Sequence, residues 1–190
     1  MKPDKLLLIG GSAGSLQVML SLLTAVGTDL PIPVLVILHR NSAFDSALEE
    51  LFFTKTALVT KEVEEKEVPA AGTVYLCPPD YHVLVESDRS FSLDYSERVH
   101  FSRPSIDVTF KSAADVYGAG TIAVLLSGGN ADGADGLAYV KECGGVTIVQ
   151  DPGSAEVPYM PQQAISRMQP DHILHADDLP IYIRGLATYK

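Results

Sequence analysis

The pattern that sets the architecture is Leu6-Leu7-Leu8-Ile9-Gly10-Gly11-Ser12-Ala13-Gly14-Ser15. Its four leading apolar residues predict a strand that is buried on both faces. Residues 10–14 then fit G-x-S-x-G, and residues 16–26 carry apolar side chains at helical spacing. A strand, a sharp turn and a helix therefore follow one another, with Ser12 exposed at the carboxyl edge of a sheet. The helix N-terminus points at the same place, so Ser12 is either a nucleophile or part of an anion-binding loop.

A second apolar run, Val34-Leu35-Val36-Ile37-Leu38, follows the first helix and ends at His39. Strand, helix and strand together have the length of one βαβ unit, whose right-handed crossover makes the two strands parallel. We therefore expect Ser12 and His39 to lie near each other, at the edge where open α/β sheets bind ligands.

Helices and strands alternate again after Pro104, and the middle third predicts a short antiparallel hairpin. The sum is a doubly wound α/β domain with a mostly parallel sheet, helices on both faces and that small hairpin. We expect one domain over residues 1–190. Predicted strands are 6–9, 34–38, 73–76, 121–126, 146–149 and 172–174, the hairpin is 83–85 with 91–93, and predicted helices are 16–26, 45–53, 105–117, 134–143, 160–168 and 177–186.

Composition excludes several classes of protein. Hydrophobic residues make up 46% of the chain and charged residues 20%, which are ordinary values for a globular domain. No apolar run approaches the ~20 residues that span a bilayer, and no signal peptide is evident, so we expect a cytoplasmic protein without membrane insertion. The net charge of −10, without a basic cluster, argues against nucleic acid as a partner.

The cysteines and most of the histidines give no sign of a metal or cofactor. Cys77 and Cys143 are far apart and form no C-x-x-C pair, as expected of two reduced core cysteines. His100, His172 and His175 have no acidic or cysteine partners at ligand spacing. We therefore expect no metal ion and no cofactor.

Three polar residues fall where predicted strands end: Ser12, His39 and Asp132. Acyl transfer needs a hydroxyl, an imidazole that takes its proton, and a carboxylate that fixes the imidazole tautomer. The order Ser, His, Asp differs from the Ser, Asp, His order of α/β-hydrolases, so the G-x-S-x-G turn alone does not assign that superfamily. On the residues alone, a triad and an anion-binding loop both stay open.

Several segments, in order along the chain, resemble the protein-glutamate methylesterases of bacterial chemotaxis, that is, the CheB catalytic domain. The nucleophile loop of that family is similar to residues 10–14, its histidine matches His39, and its aspartate loop is similar to residues 127–136 with Asp132 at the catalytic position. Further similar segments are 75–82, 103–108, 144–151 and Met160-Pro161. The resemblance implies hydrolysis of γ-glutamyl methyl esters on chemoreceptors by Ser12, His39 and Asp132, with glutamine deamidation as a second activity.

The resemblance also implies roles around this triad. The N–H of Ala13, where the family usually has threonine, would hold the oxyanion. Gly129 stands in place of the family's methionine and Asn130 in place of the following glycine, both in the pocket lining. Met160 lies in a segment that would shape the cleft, although a helix start with proline in its first turn explains this segment equally well. Arg103 would position the acceptor side chain, although a surface salt bridge explains it equally well.

The same resemblance sets expectations about partners. Methylated chemoreceptor helices are the implied substrate. No receiver domain of the kind that usually precedes this catalytic domain is found in the chain, so a receiver domain or a methyltransferase acting in trans is an implied further partner.

Two other interpretations compete with the enzyme. Glycine-rich turns after a first strand also bind nucleotide phosphates, but a G-x-G-x-x-G register from Gly10 puts Ser12 and Ser15 where glycines should stand. The unusual residues Ala13 and Gly129 motivate a catalytically idle scaffold that keeps the pocket and binds a partner.

Overall fold

The computed structural model describes residues 3–27, 30–39 and 45–188. Its regular elements match the predicted ones closely, and β3 is added as an edge strand. The strands are β1 (Leu6–Gly11), β2 (Val34–Leu38), β3 (Val59–Glu62), β4 (Thr73–Leu76), β5 (His82–Val85), β6 (Phe91–Asp94), β7 (Thr121–Leu125), β8 (Val146–Gln150) and β9 (His172–Leu174). The helices are α1 (Leu16–Val26), α2 (Asp45–Lys55), α3 (Ile106–Tyr117), α4 (Ala134–Glu142), α5 (Tyr159–Arg167) and α6 (Leu179–Thr188).

Seven of the described strands form one parallel sheet in the order β3-β4-β2-β1-β7-β8-β9. The chain starts at the central strand β1, builds outward through β2 and β4, and then returns to add β7 on the other side of β1. The strand order therefore reverses at β1, and in such sheets the crevice at the carboxyl ends of these strands is the usual ligand site.

Both faces of the sheet are covered by helices, which explains why β1 and β7 are buried along their whole length. Alternate β1 residues point to opposite cores: Leu6 and Leu8 pack with α3, α4 and α5, whereas Leu7 and Ile9 pack with α1, α2 and α6. The predicted doubly wound α/β architecture is confirmed.

The hairpin β5–β6 is a separate antiparallel sheet, as predicted, and its buried Val83, Val85 and Phe91 belong to the same core as α3. It thus fixes the segment that leads into the first turn of α3. None of the helices in the described ranges is both long and apolar enough to cross a lipid bilayer.

Candidate active site

Ser12 and His39 follow directly after two paired parallel strands. The register pairs Gly11 with Leu38, so the next residues on the two strands are Ser12 and His39. The His39 N–H donates to the Gly11 carbonyl oxygen at 3.2 Å, and on the other side the Ser12 N–H donates to the Ser127 carbonyl oxygen at 2.9 Å. Parallel neighbours lie about 5 Å apart, so the βαβ pattern brings the serine and the histidine together, as the sequence predicts.

In the loop after Ser12, residue 14 must be glycine for a steric reason. Gly14 has φ +76°, and a Cβ on it would stand 2.6 Å from Glu156 Cβ. The tight turn leads straight into α1 and leaves the N–H of Ala13 without an acceptor among the described residues. Ser12 thus sits where a free backbone donor and a helix N-terminus face the same space.

His39 and Asp132 form a direct pair, with 2.7 Å between Nε2 and Oδ2. The aspartate is fully buried and the histidine side chain is 10% exposed. Within the described residues, Asp132 also accepts hydrogen bonds from Ser105 Oγ (2.8 Å) and from the N–H groups of Ile106 (2.7 Å) and Asp107 (3.0 Å). The carboxylate therefore lies at the N-terminus of α3, where unpaired N–H groups stabilise an anion.

The charge state of Asp132 follows from these contacts. Burial alone would raise the pKa of the Asp132 carboxyl, but the hydrogen bonds from His39 and from the N–H groups of Asp107 and Ile106 hold that pKa below its usual value. An ionised carboxylate only accepts hydrogen bonds, so the proton of the neutral imidazole is on Nε2. Nδ1 of His39 is therefore the ring nitrogen that carries the lone pair.

The hydroxyl that contacts this basic nitrogen belongs to Ser102, at 3.2 Å from Oγ to Nδ1. Among the described residues, Ser12 Oγ makes no hydrogen bond to His39. Catalytic hydrogen bonds are often long before substrate binds, so the missing contact is compatible with Ser12 as the proton donor to Nδ1. The sequence prediction did not include Ser102, because it lies in an irregular connection and ends no predicted strand.

Ser102 is held by a tight turn with unusual backbone geometry. Val99 and Ser102 exchange both backbone hydrogen bonds, at 3.1 and 2.8 Å. The two residues between them, His100 and Phe101, both have positive φ, 48° and 63°. Such a conformation costs an L-residue roughly 1–2 kcal/mol. The Phe101 side chain is 95% exposed, so packing of that ring does not offset the cost.

A second buried carboxylate, Asp107 in the first turn of α3, stabilises the other helix at the site. Its Oδ1 accepts from the N–H groups of Gly133 (3.0 Å) and Gly136 (2.6 Å) at the start of α4. Burial raises the pKa of Asp107, and the neighbouring charge of Asp132 adds to this effect. Asp132 thus caps α3, the helix that contains Asp107, and Asp107 caps α4, the helix that follows Asp132.

The loop between β7 and Asp132 supplies the pocket candidates Gly129 and Asn130, and α5 supplies Met160. A Cβ on Gly128 would stand 2.5 Å from Cε of the buried Met160 and 3.1 Å from Ser12 Cβ, so Met160 packs tightly behind the serine. Gly129 is exposed, its N–H has no acceptor in the described ranges, and a Cβ there would meet only Val157 Cγ1 at 4.0 Å. The pocket is therefore open at residue 129.

Arg103 and His82 both form hydrogen bonds with backbone atoms of neighbouring segments. The Arg103 guanidinium donates to the carbonyl oxygens of Tyr95 (3.3 Å) and Ser96 (2.6 Å) and lies 3.8 Å from the Tyr95 ring centre. The fully buried His82 accepts from the Ser105 N–H at 3.0 Å and donates from Nε2 to the Glu97 carbonyl oxygen at 3.0 Å. Both side chains fix the segment that enters α3.

The site offers no cluster suited to a metal ion. Over residues 3–27, 30–39 and 45–188, no group of three or more histidine, cysteine, aspartate or glutamate side chains is arranged to hold one. The chemistry available here is that of a hydroxyl, an imidazole and a carboxylate, together with backbone N–H donors.

A parallel α/β sheet that carries a glycine-flanked serine beside a histidine–aspartate pair defines a serine-type hydrolase. Residues 7–183 match the family model described as CheB methylesterase. The chain belongs to this family.

Individual relatives agree with this assignment. A protein of Leptospira interrogans, provisionally named protein-glutamate methylesterase/protein-glutamine glutaminase, is 41% identical over 94% of this chain and 93% of its own length. Protein-glutamate methylesterase/protein-glutamine glutaminase 2 of Methanosarcina acetivorans is 34% identical over 93% of this chain, which spans 52% of that relative. The crystal structure of the Thermotoga maritima CheB methylesterase catalytic domain superposes with a TM-score of 0.91 at 31% identity, covering 96% of this chain and 98% of that one.

Proposed function

We propose that the protein hydrolyses γ-glutamyl methyl esters on chemoreceptors, and deamidates glutamines there, with Ser12 as nucleophile, His39 as general base and Asp132 as the group that orients the base. The observation that carries this proposal is the buried 2.7 Å pair of His39 and Asp132, on the strand next to the glycine-flanked Ser12. The names of the relatives supply the substrate class.

In the first half of the reaction, Ser12 Oγ attacks the ester carbonyl carbon while its proton passes to His39 Nδ1. Asp132 keeps the other ring proton on Nε2 and stabilises the positive charge that develops on the ring. The proton on Nδ1 then passes to the departing methoxide, which leaves as methanol. Water hydrolyses the acyl-enzyme with the same base and releases the glutamate side chain.

The developing oxyanion needs donors that are free and already in place. The N–H groups of Ala13 and Gly129 suit this role, because neither has an acceptor within the described residues. Losing one such donor costs roughly 3–4 kcal/mol of transition-state stabilisation. In this proposal Asn130 and Met160 flank the acyl group, while Arg103 holds the backbone at Tyr95 and Ser96.

The cellular setting follows from the same family. We propose a cytoplasmic enzyme whose protein substrates are methylated chemoreceptor helices, with a receiver domain or a methyltransferase as a partner in trans. Residues 1–190 act as one catalytic domain in this proposal.

The test is methanol release from a peptide that carries a γ-glutamyl methyl ester. Ser12→Ala, His39→Ala and Asp132→Asn should each lower kcat by about 10⁴-fold, and double variants should lose little more, because the three groups act as a unit. Ser96→Ala and His175→Ala are matched controls with exposed side chains. Equal rates in all five variants would remove the enzyme proposal.

A serine-directed phosphonate separates the enzyme from an idle scaffold. The wild-type protein should incorporate one label on Ser12, and His39→Ala should slow the labelling strongly because the base is missing. A site that resists the label while the protein stays folded would favour the scaffold.

A further inference from the structure

The hydroxyl group of Ser102 occupies the side of His39 from which the base must act. Its Oγ lies 3.2 Å from His39 Nδ1, 3.3 Å from Asn130 Nδ2 and 3.4 Å from the His100 carbonyl oxygen. Because Nε2 is held by Asp132, contacts on both ring nitrogens together fix the imidazole plane. Ser102 is half-buried and is the last residue of the tight turn at residues 99–102.

The orientation of the Asn130 amide decides which way Ser102 bonds. Asn130 Oδ1 accepts from the Asp132 N–H at 3.2 Å, so the amide nitrogen is the end that faces Ser102 Oγ. Ser102 Oγ therefore accepts from Asn130 and keeps its own proton for another acceptor. With neutral His39, that acceptor is Nδ1.

The same three partners also satisfy the protonated ring. When Nδ1 carries a proton, it donates to Ser102 Oγ, which has a second lone pair free, and the Ser102 proton turns to the His100 carbonyl oxygen. Only a hydroxyl rotation is required, and no covalent bond of Ser102 changes. Few side chains can bond to both states of an imidazole without moving.

The backbone shows that Ser102 is held at this position at a cost. His100 and Phe101 take positive φ values in a turn type that favours asparagine and glycine. Strained residues of this kind persist where the surrounding structure requires them, often at active sites. Here the strained turn returns the chain so that Ser102 faces His39 and the His100 carbonyl oxygen faces Asn130.

We propose that Ser102 is a positioning residue for the ester hydrolysis. Before the reaction, its hydroxyl donates a hydrogen bond to His39 Nδ1. Once the ring has taken the proton of Ser12, Ser102 Oγ accepts a hydrogen bond from the Nδ1–H group. This inference rests on the proposed function. Ser12 remains the nucleophile in this scheme, because its hydroxyl, and not that of Ser102, lies at the glycine turn beside the N–H of Ala13.

The kinetic test compares Ser102→Ala with Ser102→Thr, which keeps the hydroxyl, and with Ser96→Ala, which removes an exposed hydroxyl from the same connection. A hydrogen bond to a charged group is lost in Ser102→Ala, so kcat for the methyl ester should fall roughly tenfold to a hundredfold while KM stays within about twofold. Ser102→Thr should recover most of this loss, and Ser96→Ala should match the wild type. A kcat within twofold of wild type in Ser102→Ala, or a threonine variant as slow as the alanine variant, would overturn the inference.

A spectroscopic test does not depend on the proposed function. The ring ¹⁵N signals of His39 are compared in Ser12→Ala and in Ser12→Ala/Ser102→Ala, a background in which Ser12 cannot replace the missing hydroxyl. Loss of Ser102 should move the Nδ1 signal toward that of an unbonded ring nitrogen and leave Nε2 in place. An unchanged Nδ1 signal would contradict the inference even if the ester is hydrolysed, whereas a shifted Nδ1 in a protein without esterase activity would support the contact and reject only the proposed function.

Phosphonate labelling gives the last outcome. Peptide mapping should find the label on Ser12 in both the wild type and Ser102→Ala. A label on Ser102 would make that residue the nucleophile and overturn its positioning role.

Discussion

Replacing Asp132 with asparagine tests the centre of the proposed mechanism and of the fold at once. The two carboxylate oxygens accept from separate donors, Oδ1 from Ser105 and Asp107 and Oδ2 from Ile106 and His39. An asparagine side chain has one oxygen, so its NH₂ group must face one of these pairs. If it faces the Oδ2 pair, the imidazole can adapt by moving its proton to Nδ1, but the Ile106 N–H cannot adapt.

The magnitude follows from that mismatch. One buried N–H without an acceptor costs about 1–3 kcal/mol, and the loss of a negative charge at the N-terminus of α3 adds roughly 0.3–1 kcal/mol. We expect Asp132→Asn to lower the free energy of unfolding by about 1–4 kcal/mol. The same exchange in a serine-protease triad lowers kcat about 10⁴-fold because the imidazole takes the wrong tautomer, and we expect a similar loss here.

The pH dependence of unfolding gives a second signature. The folded-state pKa of Asp132 lies below the 3.8 of an unperturbed aspartate, so the unfolded chain binds a proton more readily than the folded protein does. The stability that Asp132 contributes is therefore complete at pH values well above 3.8 and is lost as the pH falls through the folded pKa. The difference between wild type and Asp132→Asn should shrink as the pH falls below about 4.

Urea unfolding between pH 3 and pH 7, combined with methanol release at pH 7, makes both measurements. Asp135→Asn is the matched control, since Asp135 is an exposed residue three positions further along, in α4, and within the described part of the chain it pairs with exposed Arg167 alone. It should change stability and kcat little. If Asp132→Asn were as stable and as active as Asp135→Asn, the assigned tautomer and the capping role would both be wrong.

Three further predictions concern the loops around the site. Gly14→Ala should destabilise the protein more than Gly27→Ala and should lower kcat. Both glycines have φ near +75°, but only a Cβ on Gly14 meets a neighbour, at 2.6 Å. The difference between the two melting temperatures therefore measures the steric overlap, because the backbone strain is the same in both variants. Gly129→Ala should melt like the wild type, whereas Gly128→Ala should melt lower and lose activity, because only the latter puts a methyl group against buried atoms. Phe101→Asn should raise the free energy of unfolding by up to about 1 kcal/mol in urea titrations, because asparagine tolerates positive φ.

The parts of the site that end regular strands could be predicted from the sequence. A buried apolar run fixes a parallel strand, and the crossover rule fixes its neighbour, so Ser12 and His39 are brought to one edge by periodicity alone. Asp132 follows β7, the strand on the other side of β1, and its loop places it against His39. Topology, and not side-chain chemistry, makes these positions predictable.

Ser102 could not be found in that way. It follows a two-residue turn whose central residues, His100 and Phe101, are not the asparagine and glycine that signal such a turn. Local sequence thus predicts no turn there, and tertiary contacts impose it. The segment that follows Ser102 is easier to interpret. Ser105-Ile106-Asp107 after a proline predicts a helix N-terminus, which needs an anion.

That need explains how the Asp132 carboxylate is built into the fold. Asp132 caps α3, while Asp107 in the first turn of α3 caps α4, which begins two residues after Asp132. The two helices therefore hold each other's N-termini through two buried carboxylates. The two carboxyl groups differ in pKa. Hydrogen bonds, including that from the His39 imidazole, lower the pKa of Asp132, whereas burial raises the pKa of Asp107. The anion that α3 requires for stability is thus the same anion that orients His39, so this position cannot lose its charge without loss of both structure and chemistry.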